Sequence, residues 1–312
     1  MLKSSFLFLT IAFFCTHLEQ TWAAPCCSSG AAAPAIVSGD DLAQISLGIS
    51  RGSVIGDAPD QGIPVFRTPT NSEITQTLRI DSALMLSDRF QCGIDVPLIQ
   101  RSVGDTKSST QATRLGDIAL TLGHETLPEW SYSQWKPKGI TFAQLTLPTG
   151  KSIYDSQTTS PAEMTGKGFY AVAFGEIFTK TFRRFDVFLI PEIHYSLTRT
   201  FEAPQAENSI TVSPRFGGSL AFGVGYSPAA SDFRFGLRIQ PTYNEGKIIQ
   251  SETGSRVASY QQSCDTGVDV AYWVNSNWSA LLAYTDQTLL GPAVNTNLSR
   301  TISLGLQHRW ER

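Results

Sequence analysis

The sequence predicts an all-β fold: one transmembrane, antiparallel, up-and-down β-barrel of about twelve strands. Three observations lead to this fold class. Apolar and polar residues alternate in successive segments between residues 42 and 310, long and short connections alternate between those segments, and the chain opens with an export signal. The composition, with 41% hydrophobic and 16% charged residues and a net charge of −3, suits such a barrel and gives no reason to expect nucleic acid as a partner.

The first 23 residues have the features of a secretory signal peptide. Lys3 supplies the positive start, and the apolar stretch 6–15 is too short to cross a bilayer as a helix. Cleavage after Ala23 fits best. The next segment, residues 24–41, is rich in Cys, Ala and Ser, and we expect it to be flexible, lying loose or tucked into the mouth of a barrel formed by residues 42–312. Export and a barrel together predict the bacterial outer membrane as the location.

Four cysteines remain after cleavage: Cys26, Cys27, Cys92 and Cys264. An even number outside the cytoplasm permits disulfides, but their pairing cannot be read from the sequence. Their spacing lacks the second close pair that a structural zinc site needs. We therefore expect neither a metal site nor any cofactor.

Six of the predicted strands lie in the first part of the chain. In the second of them Ile80 falls on the face opposite to Arg79 and Asp81, which is the two-residue period of a strand with one apolar face. The first, third and fourth alternate in the same way, the fifth is less regular, and the sixth is apolar on both faces. The six segments are Leu42–Ser50, Ile74–Ser87, Arg89–Ile99, Leu115–Leu127, Gly139–Leu147 and Gly168–Phe178.

The remaining six predicted strands follow the same rule. The alternation is sharpest in the ninth, where Phe233 and Phe235 flank Arg234. The last strand ends on an aromatic residue two places before the end of the sequence. These six segments are Phe182–Leu197, Ser209–Tyr226, 232–243, Val257–Val274, Trp278–Thr285 and Thr301–Trp310.

The last segment resembles the C-terminal signal of bacterial outer-membrane β-barrels. Leu304, Leu306 and Trp310 lie on its apolar face, and two further residues, Glu311 and Arg312, depart from the usual ending on an aromatic. The resemblance implies that Leu304, Leu306 and Trp310 form the membrane-insertion signal. It also implies that the partners of the chain are the barrel-insertion machinery and outer-membrane lipid. The alternative for this stretch alone is an edge strand of a soluble sandwich.

The connections between the segments support a barrel over a sandwich. Short turns follow the second, sixth, eighth and tenth strands, at 87–88, 179–181, 227–231 and 275–277, while most other links are long. In outer-membrane barrels the long loops are extracellular, and the short turns are periplasmic, as are both termini. One link, Pro128–Lys138, is long where a short turn is expected. It carries Trp130, Tyr132 and Trp135, which we expect in an aromatic girdle at the inner headgroup level.

A membrane-spanning sheet must close on itself, because hydrocarbon leaves no partner for unpaired backbone N–H and C=O groups. The apolar face then meets lipid and the polar face meets the lumen. Acids and bases are mixed on the polar face, so the lumen is either a wet pore or is closed by ion pairs; the sequence leaves both open. The lumen-facing candidates are Arg79, Asp81, Arg89, Asp95, Asp117, Asp186, Glu192, His194, Arg234 and Arg238.

Two short motifs carry a resemblance to a known family. Leu115-Gly116-Asp117-Ile118 opens the fourth segment, and Leu147-Pro148-Thr149-Gly150-Lys151 follows the fifth. With the strand layout of residues 42–310, they resemble the bacterial outer-membrane family associated with the meta-cleavage pathway of phenol degradation. The resemblance implies passage of small molecules, aromatic ones among them, across the outer membrane. Arg114 departs from the small residue expected before the first motif, and no binding residue is carried over.

The histidines do not suggest an enzyme. After cleavage of the signal, His124, His194 and His308 remain, and none lies where a lipid-hydrolysing Ser–His pair on the outer face would need it. His124 and His308 are expected near the periplasmic rim. His194 shares the lumen face with Glu192 and Asp186, where the three residues could bind a cation or a polar solute.

The sequence therefore predicts a porin-like barrel that lets small solutes through passively, without catalysis. The alternative is a closed barrel that acts as a structural or adhesive surface protein through its extracellular loops.

Overall fold

The computed structural model describes residues 34–37, 41–59, 63–68, 71–105, 108–128, 133, 135–155, 161–202, 209–252 and 254–311. Twelve strands form one antiparallel barrel, and each pairs with two neighbours. The barrel strands are β1 (Asp41–Ala58), β3 (Ser72–Met85), β4 (Phe90–Asp105), β6 (Ile118–Leu127), β7 (Lys138–Leu147), β8 (Ala171–Phe182), β9 (Phe185–Ser196), β12 (Phe216–Tyr226), β13 (Phe233–Asn244), β16 (Gln261–Trp273), β17 (Trp278–Asp286) and β18 (Thr296–Glu311).

The last strand closes the barrel on the first. β18 pairs with β1 along almost its whole length, with Leu306 opposite Leu47 and Gly305 opposite Gly48. Closure leaves no barrel strand with a free edge, which is what a sheet surrounded by lipid requires. The prediction of an all-β, antiparallel barrel of twelve strands is confirmed.

The two ends of the barrel differ. At one end β1 begins at Asp41 and β18 ends at Glu311, and these two residues are paired with each other. This end, the short-turn end, also carries the links 86–89, 183–184, 227–232 and 274–277, and the longer link 128–137. The opposite, long-loop end carries 59–71, 106–117, 148–170, 197–215, 245–260 and 287–295. The turn after β8 lies at Arg183–Arg184 and not at 179–181 as predicted, because pairing continues to Phe182 and Phe185.

Six short strands lie outside the barrel wall. They are β2 (Val65–Phe66), β5 (Ser108–Leu115), β10 (Arg199–Glu202), β11 (Ser209–Ser213), β14 (Ile248–Ser251) and β15 (Gly254–Val257). β2 pairs with β1 and β5 with β4, above the wall. β10, β11, β14 and β15 form a separate four-stranded sheet at the long-loop end. The eighth predicted segment, Ser209–Tyr226, merged the loop strand β11 with the barrel strand β12, because β11 shows the same alternation.

The separate sheet has its own small core. Phe201 and Val212 are fully buried and pack with Phe169 and Ile249, and Tyr154 covers them. Its side chains therefore come from loops 148–170, 197–215 and 245–260. A 3-10 helix, Pro161–Glu163, completes the regular structure in the described part of the chain. None of the helical structure described is long and apolar enough to span a membrane.

The outer face of the barrel is apolar over its middle and aromatic at both ends. Along β13 the outward residues Phe235 and Leu237 are about half exposed, although both are large and apolar. Paired rings surround the short-turn end, with centroid separations of 4.4 to 6.1 Å. They are Phe90 with His124, Trp135 with Phe182, Phe185 with Tyr226, Phe233 with Tyr272, and Trp278 with His308 and Trp310. An exposed apolar band bordered by aromatic rings is typical of a barrel surrounded by lipid.

The apolar band ends before the strands do. At the long-loop end the outer face changes to Arg51, Gln76 and Gln100, and Arg300 forms an ion pair with Asp286 there at 2.9 Å. The strands thus continue beyond the band by several residues. Of the residues predicted for the inner girdle, Trp135 lies at the short-turn end, 6.1 Å from the ring of Phe182, and Trp130 and Tyr132 lie outside the described residues.

Candidate functional site

The candidate site is the barrel lumen, and an N-terminal strap, residues 34–37, lies inside it. All four residues of the strap are buried. The backbone N–H of Val37 donates to Gln91 Oε1 at 2.6 Å, and Gln44 Nε2 donates to the carbonyl of Ile36 at 2.9 Å. Of the two alternatives for segment 24–41, this part is tucked into the barrel. Residues 1–33 and 38–40, which include the predicted signal peptide and Cys26 and Cys27, lie outside the described residues.

Apolar side chains fill the lumen beside the strap. Ile36 is 3% exposed and packs in one cluster with residues from β7, β8, β9 and β12. The members of this cluster, the packed half of the lumen, are Ile36, Ile140, Phe142, Ile177, Phe188, Ile190 and Ala221. Glycines make room for the rings: a Cβ on Gly175 would lie 2.5 Å from Phe142 Cζ, and one on Gly223 would collide with Phe188. Large and small residues thus alternate across neighbouring strands, as dense packing requires.

Two arginines in the lumen are each held by two carboxylates. Arg79 on β3 binds Asp95 of β4 at 2.6 Å and Asp81 of its own strand at 3.0 Å. Arg234 on β13 is only 2% exposed, and it binds Asp186 of β9 at 2.6 Å and Asp269 of β16 at 2.8 Å. Each cluster ties neighbouring strands together, and each arginine charge is neutralised locally.

The Arg234 cluster depends on a glycine between the partners. Asp186 lies two strands away from Arg234, with β12 between them. Gly225 is the β12 residue at this level, and any Cβ there would collide with both the guanidinium and the carboxylate. The arginine therefore reaches across the glycine to its carboxylate.

The other half of the lumen contains a cavity of about 270 Å³. It runs along the inner wall of β17, β18, β1 and β3, and we call this side the open half. Its wall is rich in hydroxyl groups, supplied by Ser46, Ser50, Thr77, Ser279, Thr285, Ser299, Thr301 and Ser303. Charged groups at its border are Arg79, Asp81, Arg238 and Asp265. A closed barrel with a polar, hydroxyl-lined space can hold water and small polar molecules.

Hydrogen bonds connect the strap to the wall of this space near the short-turn end. Gln307, which borders the cavity, donates through Nε2 to Gln44 Oε1 at 3.2 Å, and Gln44 in turn donates to the carbonyl of Ile36. Gln91 holds the following residue, Val37. Two glutamine side chains therefore hold the strap, and one of them, Gln44, links it to the cavity wall.

An ionic cluster stands at the long-loop end of the open half, beyond the apolar band. Arg67, in the loop after β1, binds Asp57 at 2.6 Å and Glu73 at 2.8 Å, and Arg101 of β4 also binds Glu73. Burial alone would raise the pKa of Glu73, but the hydrogen bonds from Arg67 and Arg101 outweigh it and lower this pKa below its usual value. The hydrogen bond from Arg67 to Asp57 helps to raise the pKa of Arg67. The cluster fixes this loop to the barrel wall.

His194, Glu192 and Asp186 do not form one site. His194 Nδ1 lies 2.9 Å from Glu192 Oε1, and its Nε2 lies 2.8 Å from Asn244 Oδ1. Asp186 is bound instead to Arg234. Within the described residues, no three His, Cys, Asp or Glu side chains form a group that could hold a metal ion.

The two motifs that carry the family resemblance meet in space. Thr149 Oγ1 donates to the carbonyl of Gly116 at 2.6 Å and accepts from the N–H of Ile118 at 3.1 Å. Asp117 accepts from the backbone N–H groups of Gly150 and Lys167, at 3.0 and 2.7 Å. Asp117 thus fixes the loop after β7 to the start of β6, and its carboxylate is taken up by backbone donors.

Arg89 requires a correction. It was expected on the lumen face, but β3 ends at Met85 and β4 begins at Phe90, so Arg89 lies in the exposed link between them. A turn residue has no fixed face, and the alternation therefore does not extend to it. The other nine candidates lie on the inward face of their strands or, for Asp117, at the entry to one.

Leu304, Leu306 and Trp310 lie on the outer face of β18 and are about half exposed. Their role in membrane insertion stays a prediction. Cys92 and Cys264 are free thiols on the outer side of β4 and β16.

The sequence left open whether segment 24–41 lies loose or is tucked into the barrel, and it did not lead us to predict the hydroxyl-lined wall. The wall had a visible signal, since Thr301 and Ser303 alternate with Ile302 and Leu304 in the last strand. The predicted lumen candidates are charged residues and His194, and they include none of these hydroxyl groups. The strap has no periodic signal, because four residues are too few to show one.

No family model matches the chain, and no curated protein matches it by sequence. Solved structures are similar in fold. An outer membrane channel from Pseudomonas putida F1 superposes with a TM-score of 0.68 at 13% identity, over 88% of this chain and 99% of that one. A mutant of TodX, a monoaromatic hydrocarbon channel, gives 0.47 at 12% identity over 88% and 91%, and the KdgM porin gives 0.44 at 10% over 84% and 98%. The first of these likenesses shows that the chain shares the fold of an outer-membrane barrel.

Proposed function

We propose that this protein is a channel of the bacterial outer membrane that lets small solutes pass without catalysis. The observation that carries the proposal is the hydroxyl-lined cavity of about 270 Å³ inside a closed barrel with an apolar outer band. A barrel that served only as a scaffold would need no polar space in its lumen, and twelve strands lie between the small barrels that side chains fill and the open porins. We infer that the short-turn end and both termini face the periplasm, and that the long loops are extracellular. A cleaved signal peptide directs export.

The size of the cavity bears on the solutes. A cavity of about 150 Å³ holds one benzene ring, so about 270 Å³ is enough for a small molecule of that class. The family resemblance of the two motifs around Gly116 and Thr149 implies that aromatic molecules are among the solutes. The hydroxyl groups of the wall favour solutes that also carry polar atoms, because buried hydroxyl groups need hydrogen-bond partners.

The strap limits the conductance of the channel when no change has displaced it. Gln44 and Gln91 hold it inside the barrel, and we infer that it obstructs the path from the cavity to the short-turn end. We expect low conductance with the strap in place and higher conductance when it is removed.

Single-channel recording in planar bilayers tests the function. The chain from residue 24 to 312 is compared with a version that begins after Val37, and with the double variant Gln44→Ala, Gln91→Ala. Small steps for the first protein and larger or more frequent steps for the other two are expected. Heat-modifiability on a gel is the control, because a folded barrel migrates differently before and after boiling.

Silent insertion of all three folded proteins would contradict the channel. It would favour the second candidate, a closed surface barrel that acts through its loops. The observation that favours this second candidate is the separate four-stranded sheet with its own buried core at the long-loop end.

A further inference from the structure

Arg238 differs from the other two arginines in the middle of the lumen. Arg79 and Arg234 each bind two carboxylates, whereas no carboxylate of the described residues lies within ion-pair distance of Arg238. Its hydrogen bond is a long one, 3.4 Å from Nη2 to Thr285 Oγ1. Its Nε is buried and has no acceptor among the described atoms. Arg238 is thus a lumen cation with no carboxylate in direct contact; Asp269, which is bound to Arg234, acts on its charge only from beyond ion-pair distance.

Glycines on both neighbouring strands place the guanidinium at the cavity. Arg238 pairs with Gly223 of β12 on one side and with Gly267 of β16 on the other. Beyond Gly267, at the same level, lies Thr285 of β17. A Cβ on Gly267 would lie 3.7 Å from Arg238 Nη2 and 3.4 Å from Thr285 Oγ1. The side chain therefore extends over the glycine and ends at the border of the open half.

Arg238 and Arg234 both extend across a glycine of a neighbouring strand, but their guanidinium groups reach different partners. Arg234 crosses Gly225 and reaches the carboxylate of Asp186, while Arg238 crosses Gly267 and reaches a hydroxyl group. A hydroxyl group cannot neutralise a guanidinium. A charge in a partly desolvated site gains most from an anion with two oxygens in one plane, which matches the guanidinium fork.

The carboxylates that border the same cavity have other partners. Asp81 is bound by Arg79, and Asp265 accepts from Gln287 Nε2 at 2.7 Å. Hydroxyl groups of Thr301 and Ser303 stand on the adjacent wall and can donate to an oxygen of a bound molecule.

We propose that Arg238 is the binding residue of the cavity for small solutes that carry a carboxylate group. The solute's carboxylate accepts from the guanidinium, and the neighbouring hydroxyl groups complete its hydrogen bonds. The role of this site in passage rests on the proposed channel function, but binding itself does not.

Ligand-observed ¹⁹F NMR tests the binding, with trifluoroacetate as the probe and the folded barrel in detergent at moderate salt. The wild-type protein should broaden the probe resonance, and acetate should reverse the broadening by competition. Arg238→Gln should weaken binding by about tenfold or more, the change that follows from loss of one charge-assisted hydrogen bond. Arg238→Lys, which keeps the positive charge, should retain part of the binding affinity.

The matched control is Arg300→Gln. Arg300 is also an arginine, but it lies on the outer face beyond the apolar band, bound to Asp286. This variant should broaden the probe as the wild type does. Gly267→Val gives a second route to the same result, since the larger side chain obstructs the path of the guanidinium without removing it. Heat-modifiability verifies that each variant is folded.

Equal broadening by the wild type, Arg238→Gln and Gly267→Val would overturn the proposal, as would no broadening by the wild type. Uptake of acetate and glycerol into proteoliposomes separates this result from the channel function. Slower acetate entry with unchanged glycerol entry in Arg238→Gln supports the inference and the channel together. If the wild type binds the probe through Arg238 but passes neither solute, the binding site stands and the channel function fails.

Discussion

The two halves of the lumen have the same type of wall and opposite contents. In the packed half, rings such as Phe142 and Phe188 lie against glycines of the neighbouring strands, and the strap residue Ile36 packs beside them. In the open half, inward residues such as Ser303 and Thr301 are too short to reach across, and a cavity remains. Both halves belong to the same twelve-stranded barrel, so strand number cannot explain the difference. The size of the inward side chains decides which part of the lumen is filled and which part stays empty.

The largest expected difference in stability is between two alanine substitutions, one in each half of the lumen. Phe142→Ala should lower the free energy of unfolding by about 3–5 kcal/mol, because a buried ring is lost and the neighbouring glycine leaves nothing to fill the space. Ser303→Ala, at the wall of the open half, should change it by less than about 0.5 kcal/mol. Urea titration of the barrel in lipid, followed by heat-modifiability, measures both. Equal losses would show that the two halves are not packed differently.

A smaller contrast comes from adding one methyl group. Gly175→Ala places a Cβ 2.5 Å from Phe142 Cζ and 2.6 Å from the carbonyl oxygen of Pro191, so it should cost about 1–3 kcal/mol of stability. Gly48 borders the cavity, and a Cβ added there would lie 3.9 Å from its nearest neighbour, the Leu304 carbonyl oxygen. This change should be neutral or stabilising by about 0.5–1 kcal/mol, since alanine suits a strand better than glycine. The same titration applies, and a destabilised Gly48→Ala would argue against free space there.

The smallest effect concerns the loop above the open half. The pKa of Glu73 is lower in the folded protein than in a free glutamate, so its ionised form stabilises the loop at all pH values above about 4.5. This stabilisation is lost as the pH falls through the lowered pKa. A spin label at Ile63 should stay constrained from pH 8 down to the usual glutamate pKa of about 4.5 and become more mobile as the pH falls further.

Glu73→Gln is the control for this pH dependence. The label should be more mobile than in the parent at neutral pH, and its mobility should change little with pH over the same range. A label that responds to acid equally in both proteins would assign the effect to other groups.

Much of the barrel could be predicted because its pattern is local. Each spanning strand needs one lipid-compatible face, so alternations such as Phe233, Arg234, Phe235 repeat along the chain and mark the strands. The ends of strands were less certain, since loop strands such as Ser209–Ser213 alternate for the same reason of one-sided burial. Charged lumen residues followed from the alternation, but their partners did not, because Arg234 and Asp186 are 48 residues apart.

The sequence by itself determined the two faces of the sheet, the number of barrel strands and the rhythm of long and short links, because strand period and turn length are properties of neighbouring residues. Only the tertiary structure decided which half of the lumen is filled. That outcome depends on which strands become neighbours: Phe142 meets Gly175, and Arg238 meets Gly267 and Thr285, only once the barrel has closed and its register is set.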